Sequence, residues 1–239
     1  MRDVVACHCG LCRKTSGHYW AASSVPHERF RLTRPDGLAW FESSPGVQRG
    51  FCRACGASLF WDEGKGAMHF APGAMDGPIE LTVARHIFNE GAGDYYAPAG
   101  PPPTPTEGAR LLDCSCLCGG VAFTLPGPAG KITACHCTQC RKISGFHAAS
   151  FDADVAGIVY QAREALGEYR TPGGGRRGHC TRCGSSLWFL SANGEFSVEA
   201  GSVNGATGGW LSEHIFVADK GDYYDIGDGL PQFAGWAEP

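Results

Sequence analysis

Four markers of this chain recur at one constant interval: Cys7, Cys52, His86 and Asp94 return 128 residues later as Cys135, Cys180, His214 and Asp222. The blocks around them match too. CHCGLCRKTSG (7–17) aligns with CHCTQCRKISG (135–145), CRACGASL (52–59) aligns with CTRCGSSL (180–187), and HIF followed by GDYY stands in both halves. A self-match with no net insertion is one structural unit written twice, so the fold has to be explained once and then doubled. Residues 98–110, between the copies, are rich in proline, which cannot feed a sheet and reads as a semi-rigid spacer. The expected organisation is therefore a first module over 1–97, a linker over 98–110 and a second module over 111–239.

The copies differ at their ends. Copy two opens with CSCLCGGVAFTLPGPAG (114–130), whereas copy one begins a few residues before its cysteine cluster, and a misplaced start or a truncation is the expected reason. The tail DIGDGLPQFAGW (225–236) also has no counterpart. Copy two thus reads as the complete module and copy one as the same module without its opening strands. Glycine (35) and proline (15) separate short apolar runs, and no long segment sustains a helical period, which is the texture of an all-β protein. In copy two, residues 120–125 and 131–134 read as a hairpin around a 126–130 turn, with further strands over 165–171, 185–190 and 195–200.

Thirteen cysteines would suggest disulfides in a small secreted chain. No secretory leader and no apolar run of about eighteen residues is visible, so the expected location is the cytoplasm, with no membrane partner. In a reducing compartment, CxC and CxxC clusters read as metal ligands. With a net charge of -4 and scattered Lys and Arg, no basic stripe exists to select phosphate backbones, and nucleic acid is not an expected partner.

A closed zinc site needs four tetrahedral ligands. In copy two, Cys116 and Cys118 can join Cys180 and Cys183 to clip together sequence-distant strands, a structural role. Cys135, Cys137 and Cys140 offer only three thiolates, and a three-ligand zinc keeps a position for water or substrate. Three thiolates favour thiol chemistry over water activation. The alternative is a second closed site completed by His136, His179 or His214. Copy one repeats the triplet as Cys7, Cys9 and Cys12 and the pair as Cys52 and Cys55. It lacks the CxC partner, so Cys52 and Cys55 hold a metal only if another segment lends ligands. Cys114 is left over. Arg141 and Lys142, like Arg13 and Lys14, follow the triplet and either offset its anionic charge, bind the carboxylates of a small acidic thiol, or form a solvated turn. Arg49 and Arg177, upstream of the CxxC pairs, carry the same readings.

The order CxCGG, CHCxxCRKxSG, CxxCGSxL, GSVN and HIFV...DYYDIGDGLPQF resembles the family of glutathione-dependent formaldehyde-activating enzymes, which includes centromere protein V. The resemblance covers nearly all of copy two and most of copy one. It implies two Mss4-like β-sandwich zinc modules in tandem, the first truncated at its N-terminus. It also implies a structural zinc on Cys116, Cys118, Cys180 and Cys183 and a catalytic zinc on Cys135, Cys137 and Cys140. The implied activity is a carbon-sulfur lyase reaction joining formaldehyde to glutathione as S-hydroxymethylglutathione, with a small thiol as substrate. Tyr223 and Tyr224 stand where members of the family often carry tryptophan. A non-catalytic zinc-organised binding module is the alternative reading.

Overall fold

The structure is a computed structural model, described here for residues 1–104 and 110–237. Most of the linker lies within that range, but residues 105–109 of it fall outside. Copy one runs β1 (Val4–Cys7), α1 (Gly10–Ser16), β2 (Trp20–Pro26), β3 (Leu38–Ser44), β4 (Val47–Cys52), β5 (Ser58–Asp62), β6 (Ala67–Phe70) and β7 (Val83–Ile87). Copy two runs β8 (Leu111–Ser115), β9 (Ala122–Pro126), β10 (Lys131–Cys135), α2 (Thr138–Ser144), β11 (Ala148–Asp152), β12 (Val159–Ala162), β13 (Leu166–Arg170), β14 (Arg176–Cys180), β15 (Ser186–Leu190), β16 (Phe196–Glu199) and β17 (Trp210–Ile215).

Each copy builds a seven-stranded sheet, in the order β3-β4-β5-β6-β2-β1-β7 and β13-β14-β15-β16-β11-β10-β17. The two orders superpose strand for strand at the 128-residue offset, as a true repeat requires. Copy two adds a three-stranded sheet, β12-β9-β8. The fold is therefore mostly β, as the composition foretold.

One local expectation fails. β9 and β10 are not a hairpin: β9 pairs with β8 and β12, while β10 pairs with β11 and β17. The 126–130 segment is a crossing between sheets, and its amides are spent on other strands, Gly127 N on Arg110 O and Ala129 N on Thr207 O. Pro126 and Pro128 have no N–H with which to close a ladder. The hairpin that β9 does form is with β8, joined through the CLCGG turn.

The two copies are not beads on a spacer. Tyr95 and Tyr96 of copy one are buried in the core of copy two, with Leu112, Phe123, Ile132 and Leu211. Tyr223 of copy two returns the exchange, buried with Val4, Ala6, Ala21 and Ile79 of copy one. The backbone follows: Leu211 N donates to Tyr95 O and Val83 N donates to Tyr223 O, each at 2.8 Å. Asp94 accepts from the Thr207 and Gly208 amides of copy two, and Asp222 from the Ile79 and Glu80 amides of copy one. Both GDYY segments thus complete the other copy's core, and burying such large side chains makes the seam a main source of stability.

Candidate functional site

Each three-cysteine cluster sits at a strand-to-helix turn. In copy two, β10 delivers Cys135, Cys137 occupies the position before α2, and Cys140 lies in the first turn, where its amide donates to Cys137 Sγ at 3.4 Å. The helix ends after seven residues because Gly145 (φ 86) takes the left-handed cap, with its amide on Arg141 O. Copy one repeats this with Cys7, Cys9, Cys12 and Gly17 (φ 85).

Cys135, Cys137 and Cys140 bring their sulfurs within 4.8 Å of one another, as do Cys7, Cys9 and Cys12, and as do Cys116, Cys118, Cys180 and Cys183. Individual separations are 3.6 Å for Cys116 to Cys118 and for Cys118 to Cys180, and 3.5 Å for Cys7 to Cys9. Four sulfurs about 2.3 Å from a tetrahedral ion stand roughly 3.8 Å apart, whereas a disulfide needs about 2 Å, so these spacings fit a shared ion. Val121 N donates to Cys116 Sγ at 3.2 Å, the amide-to-sulfur contact of a knuckle turn. Cys52 and Cys55 join no such group among the described residues. Cys114 is a buried strand residue, its thiol pushed up to about 11 by burial.

The three histidines that could have closed the Cys135 cluster are committed elsewhere or apart from it. His136 Nε2 lies 2.9 Å from His214 Nδ1, and its Nδ1 is hydrogen-bonded with the Tyr224 hydroxyl. His214 meets Asp228 Oδ2 through Nε2 at 2.8 Å. His179 lies against Gly56 and Gly167 and belongs to no ligand group. Among the described residues the triplets therefore end at three sulfurs.

Thiol acidity inside the triplet is uneven. Cys137 is lowered to about 2, first by hydrogen bonds from Cys135 and Cys140 and then with help from Arg177, whereas Cys135 is held far above the usual thiol range by the same partners. Thiols this close titrate as one group, and a bound cation would hold all three as thiolates. Burial, and then His214, keeps His136 neutral by lowering it to about 3.

Arg177, on β14, places Nη2 3.2 Å from Cys140 Sγ. Its guanidinium is held by Gln139 Oε1 at 3.0 and 3.1 Å and approaches Glu199 Oε1 at 4.0 Å. In copy one, Arg49 stands 3.6 Å from Cys12 Sγ, with Leu11 and Ala71 where copy two has Gln139 and Glu199. Of the basic residues after each triplet, Arg141, Lys142 and Lys14 bond across the seam, whereas Arg13 bonds within copy one. Arg141 donates to Gly73 O and Met75 O, Lys142 pairs with Asp76, Arg13 donates to Gly91 O, and Lys14 reaches Ser115 O, Ser202 O and Asn204 Oδ1. Arg141 also walls a cavity of about 220 Å³ with Lys220. Glu199 and Gln139 escape a motif reading, with Ala71 and Leu11 opposite them in copy one, while Asp228 lies within the quoted DIGDGLPQF run but carries no assigned role there.

No helix among the described residues is long and apolar enough to cross a membrane. A sequence profile of the glutathione-dependent formaldehyde-activating enzyme family matches residues 2–91 and again 111–219. An uncharacterized lyase of Schizosaccharomyces pombe is 25% identical over 121 residues, 50% of this chain and 88% of that one. A Halomonas elongata protein named for glutathione-dependent formaldehyde activation is 33% identical over 88 residues, 34% of this chain and 56% of its own length. A solved Rhodobacter sphaeroides protein aligns with a TM-score of 0.34 at 21% identity, over 41% of this chain and 98% of that one. With its profile matched over most of both copies, the chain belongs to the glutathione-dependent formaldehyde-activating enzyme family and carries that domain twice.

Proposed function

We propose that this chain is a zinc-dependent carbon-sulfur lyase-type enzyme acting on a small thiol, with glutathione and formaldehyde, joined as S-hydroxymethylglutathione, the first candidate. The observation that carries the reading is the open triplet: three sulfurs gathered for one ion while both nitrogens of the adjacent His136 are bonded elsewhere. Cys116, Cys118, Cys180 and Cys183 would hold a structural zinc, and Cys135, Cys137 and Cys140 the working one. Cys7, Cys9 and Cys12 would hold a third. Cys52 and Cys55 are left without partners for one.

Zinc supplies positive charge that makes a thiol acidic at neutral pH. Arg177 offsets the excess negative charge of the triplet from its position against Cys140. The reaction forms one bond, from thiol sulfur to formaldehyde carbon, while the carbonyl electron pair moves to oxygen and takes up the proton the thiol released. The reverse direction breaks that bond and returns both reactants. Arg141, beside Lys220 in the 220 Å³ cavity, is our candidate for the thiol's carboxylate, whereas Lys142 is occupied by Asp76. We place the protein in the cytoplasm, where thiolate sites persist, and assign the modules to 1–97 and 111–239.

The test is zinc per chain on protein purified without added metal, paired with glutathione titration in the presence and absence of formaldehyde. Two or more zincs with thiol-dependent loss of formaldehyde is the expected result. Tightly held zinc with no thiol binding would replace this reading with a zinc-organised binding module.

A further inference from the structure

Asp228 lies in the tail of copy two, which has no counterpart in copy one; the 128-residue offset falls on Gly100. From its Oδ2 a line of hydrogen bonds runs inward: to His214 Nε2 at 2.8 Å, from His214 Nδ1 to His136 Nε2 at 2.9 Å, and from His136 Nδ1 to the Tyr224 hydroxyl. Copy one repeats the inner part, with His86 Nδ1 2.8 Å from His8 Nε2 and His8 Nδ1 2.9 Å from the Tyr96 hydroxyl. His86 is exposed, and no carboxylate bonds to it among the described residues.

A carboxylate only accepts, so with one proton on each ring that of His214 sits on Nε2. Its Nδ1 is then an acceptor, which obliges His136 to donate from Nε2. That leaves His136 Nδ1 as an acceptor, and the Tyr224 hydroxyl must donate to it. With its one proton committed, the Tyr224 oxygen can offer only lone pairs to anything else. Tyr224 lines a cavity of about 320 Å³ at the seam, together with Tyr19, His86, Phe146 and Tyr223.

We propose that Asp228 is a positioning residue that fixes the direction of every hydrogen in this line and so makes Tyr224 an acceptor-only wall of the seam cavity, selecting small ligands that present a hydroxyl, thiol or amide donor there. Copy one, without the carboxylate, leaves Tyr96 free to point either way. The inference needs neither metal nor turnover, so it can fail while the thiol reading holds, and the reverse.

The experiment is long-range proton-nitrogen correlation on the full-length, ¹⁵N-histidine-labelled protein near neutral pH, which reads the tautomer of each ring. A hydrogen bond to a charged acceptor biases the ratio by at least about tenfold, so His214 and His136 should both show the Nε2–H form in the native protein. In Asp228→Ala that preference collapses at both rings to a mixture, as at His8 and His86 in the native protein. Asp228→Leu, similar in size but with no hydrogen-bonding group, carries the same expectation if the alanine variant fails to fold. A doubly protonated His214 or an Nδ1–H His136 in the native protein, or unchanged tautomers in the folded variant, would overturn the proposal.

Discussion

Glu199 is a carboxyl almost without solvent, and burial pushes its pKa up to about 7 from an ordinary 4.5, with Arg177 at 4.0 Å only partly offsetting the effect. The folded state therefore keeps a proton that the unfolded chain has lost. Stability contributed by the neutral acid is fully present below pH 4.5 and is lost as pH rises to about 7. Glu199→Gln should be more stable than the native protein by up to about 3 kcal/mol at pH 8, with the difference shrinking toward zero near pH 4.5. Denaturant midpoints across that range measure it, and a pH-independent difference would contradict the assignment. At this scale the ligand candidates were legible as CxC and CxxC spacings because thiolates must sit close in sequence to share a tight turn. The roles of Glu199, Gln139 and Asp228 were not, since each acts through a contact that only the fold makes.

Elements form where a partner exists. Val159–Ala162 is a strand because β9 lies beside it, with Tyr160 opposite Phe123. The corresponding residues of copy one, 31–34, form no strand, because copy one has no β9 to pair with. Sequence periodicity named the short strands of copy two but mispaired β9 with β10, because alternation tells which residues face a core and not which of two sheets receives them. The helices meet the opposite copy's 3-10 turns with almost no clearance. Gly73 N donates to Gly145 O at 2.9 Å and Gly201 N to Gly17 O at 2.7 Å. A Cβ on Gly73 would stand 2.5 Å from the Arg141 and Gly145 carbonyl oxygens, and one on Gly201 would stand 2.3 Å from Arg13 O. Since backbone cannot rotate away, Gly73→Ala and Gly201→Ala should each cost about 1–3 kcal/mol in chemical denaturation. Gly227→Ala, with no atom within 4 Å of its Cβ, should cost far less.

The whole molecule is a fused pair whose seam holds a concentration of histidines and tyrosines. The repeat was plain in the sequence, but the exchange of GDYY segments was not, because a duplicated motif looks the same whether it packs on its own copy or on the other. Burial lowers His8 to about 4 and His136 to about 3, and holds His18 and His147 well below the ordinary 6.5. These groups stabilise the fold fully above pH 6.5, and that contribution is lost as pH falls, because the unfolded chain then binds protons the folded one refuses. The denaturant midpoint should therefore decline between pH 7 and 5, and the two copies should unfold together because each core contains the other's tyrosines.

Only copy two joins an open triplet to a four-sulfur clip, an Arg177 braced by Gln139 and Glu199, and an acid-anchored histidine line. The central claim is that this copy does the chemistry, and the most direct measurement is glutathione-dependent formaldehyde consumption in Cys137→Ser beside its matched counterpart Cys9→Ser, with folding checked by circular dichroism. The account predicts that Cys137→Ser loses at least about 100-fold in rate while Cys9→Ser keeps most of it. Equal losses, or full activity in Cys137→Ser, would contradict it.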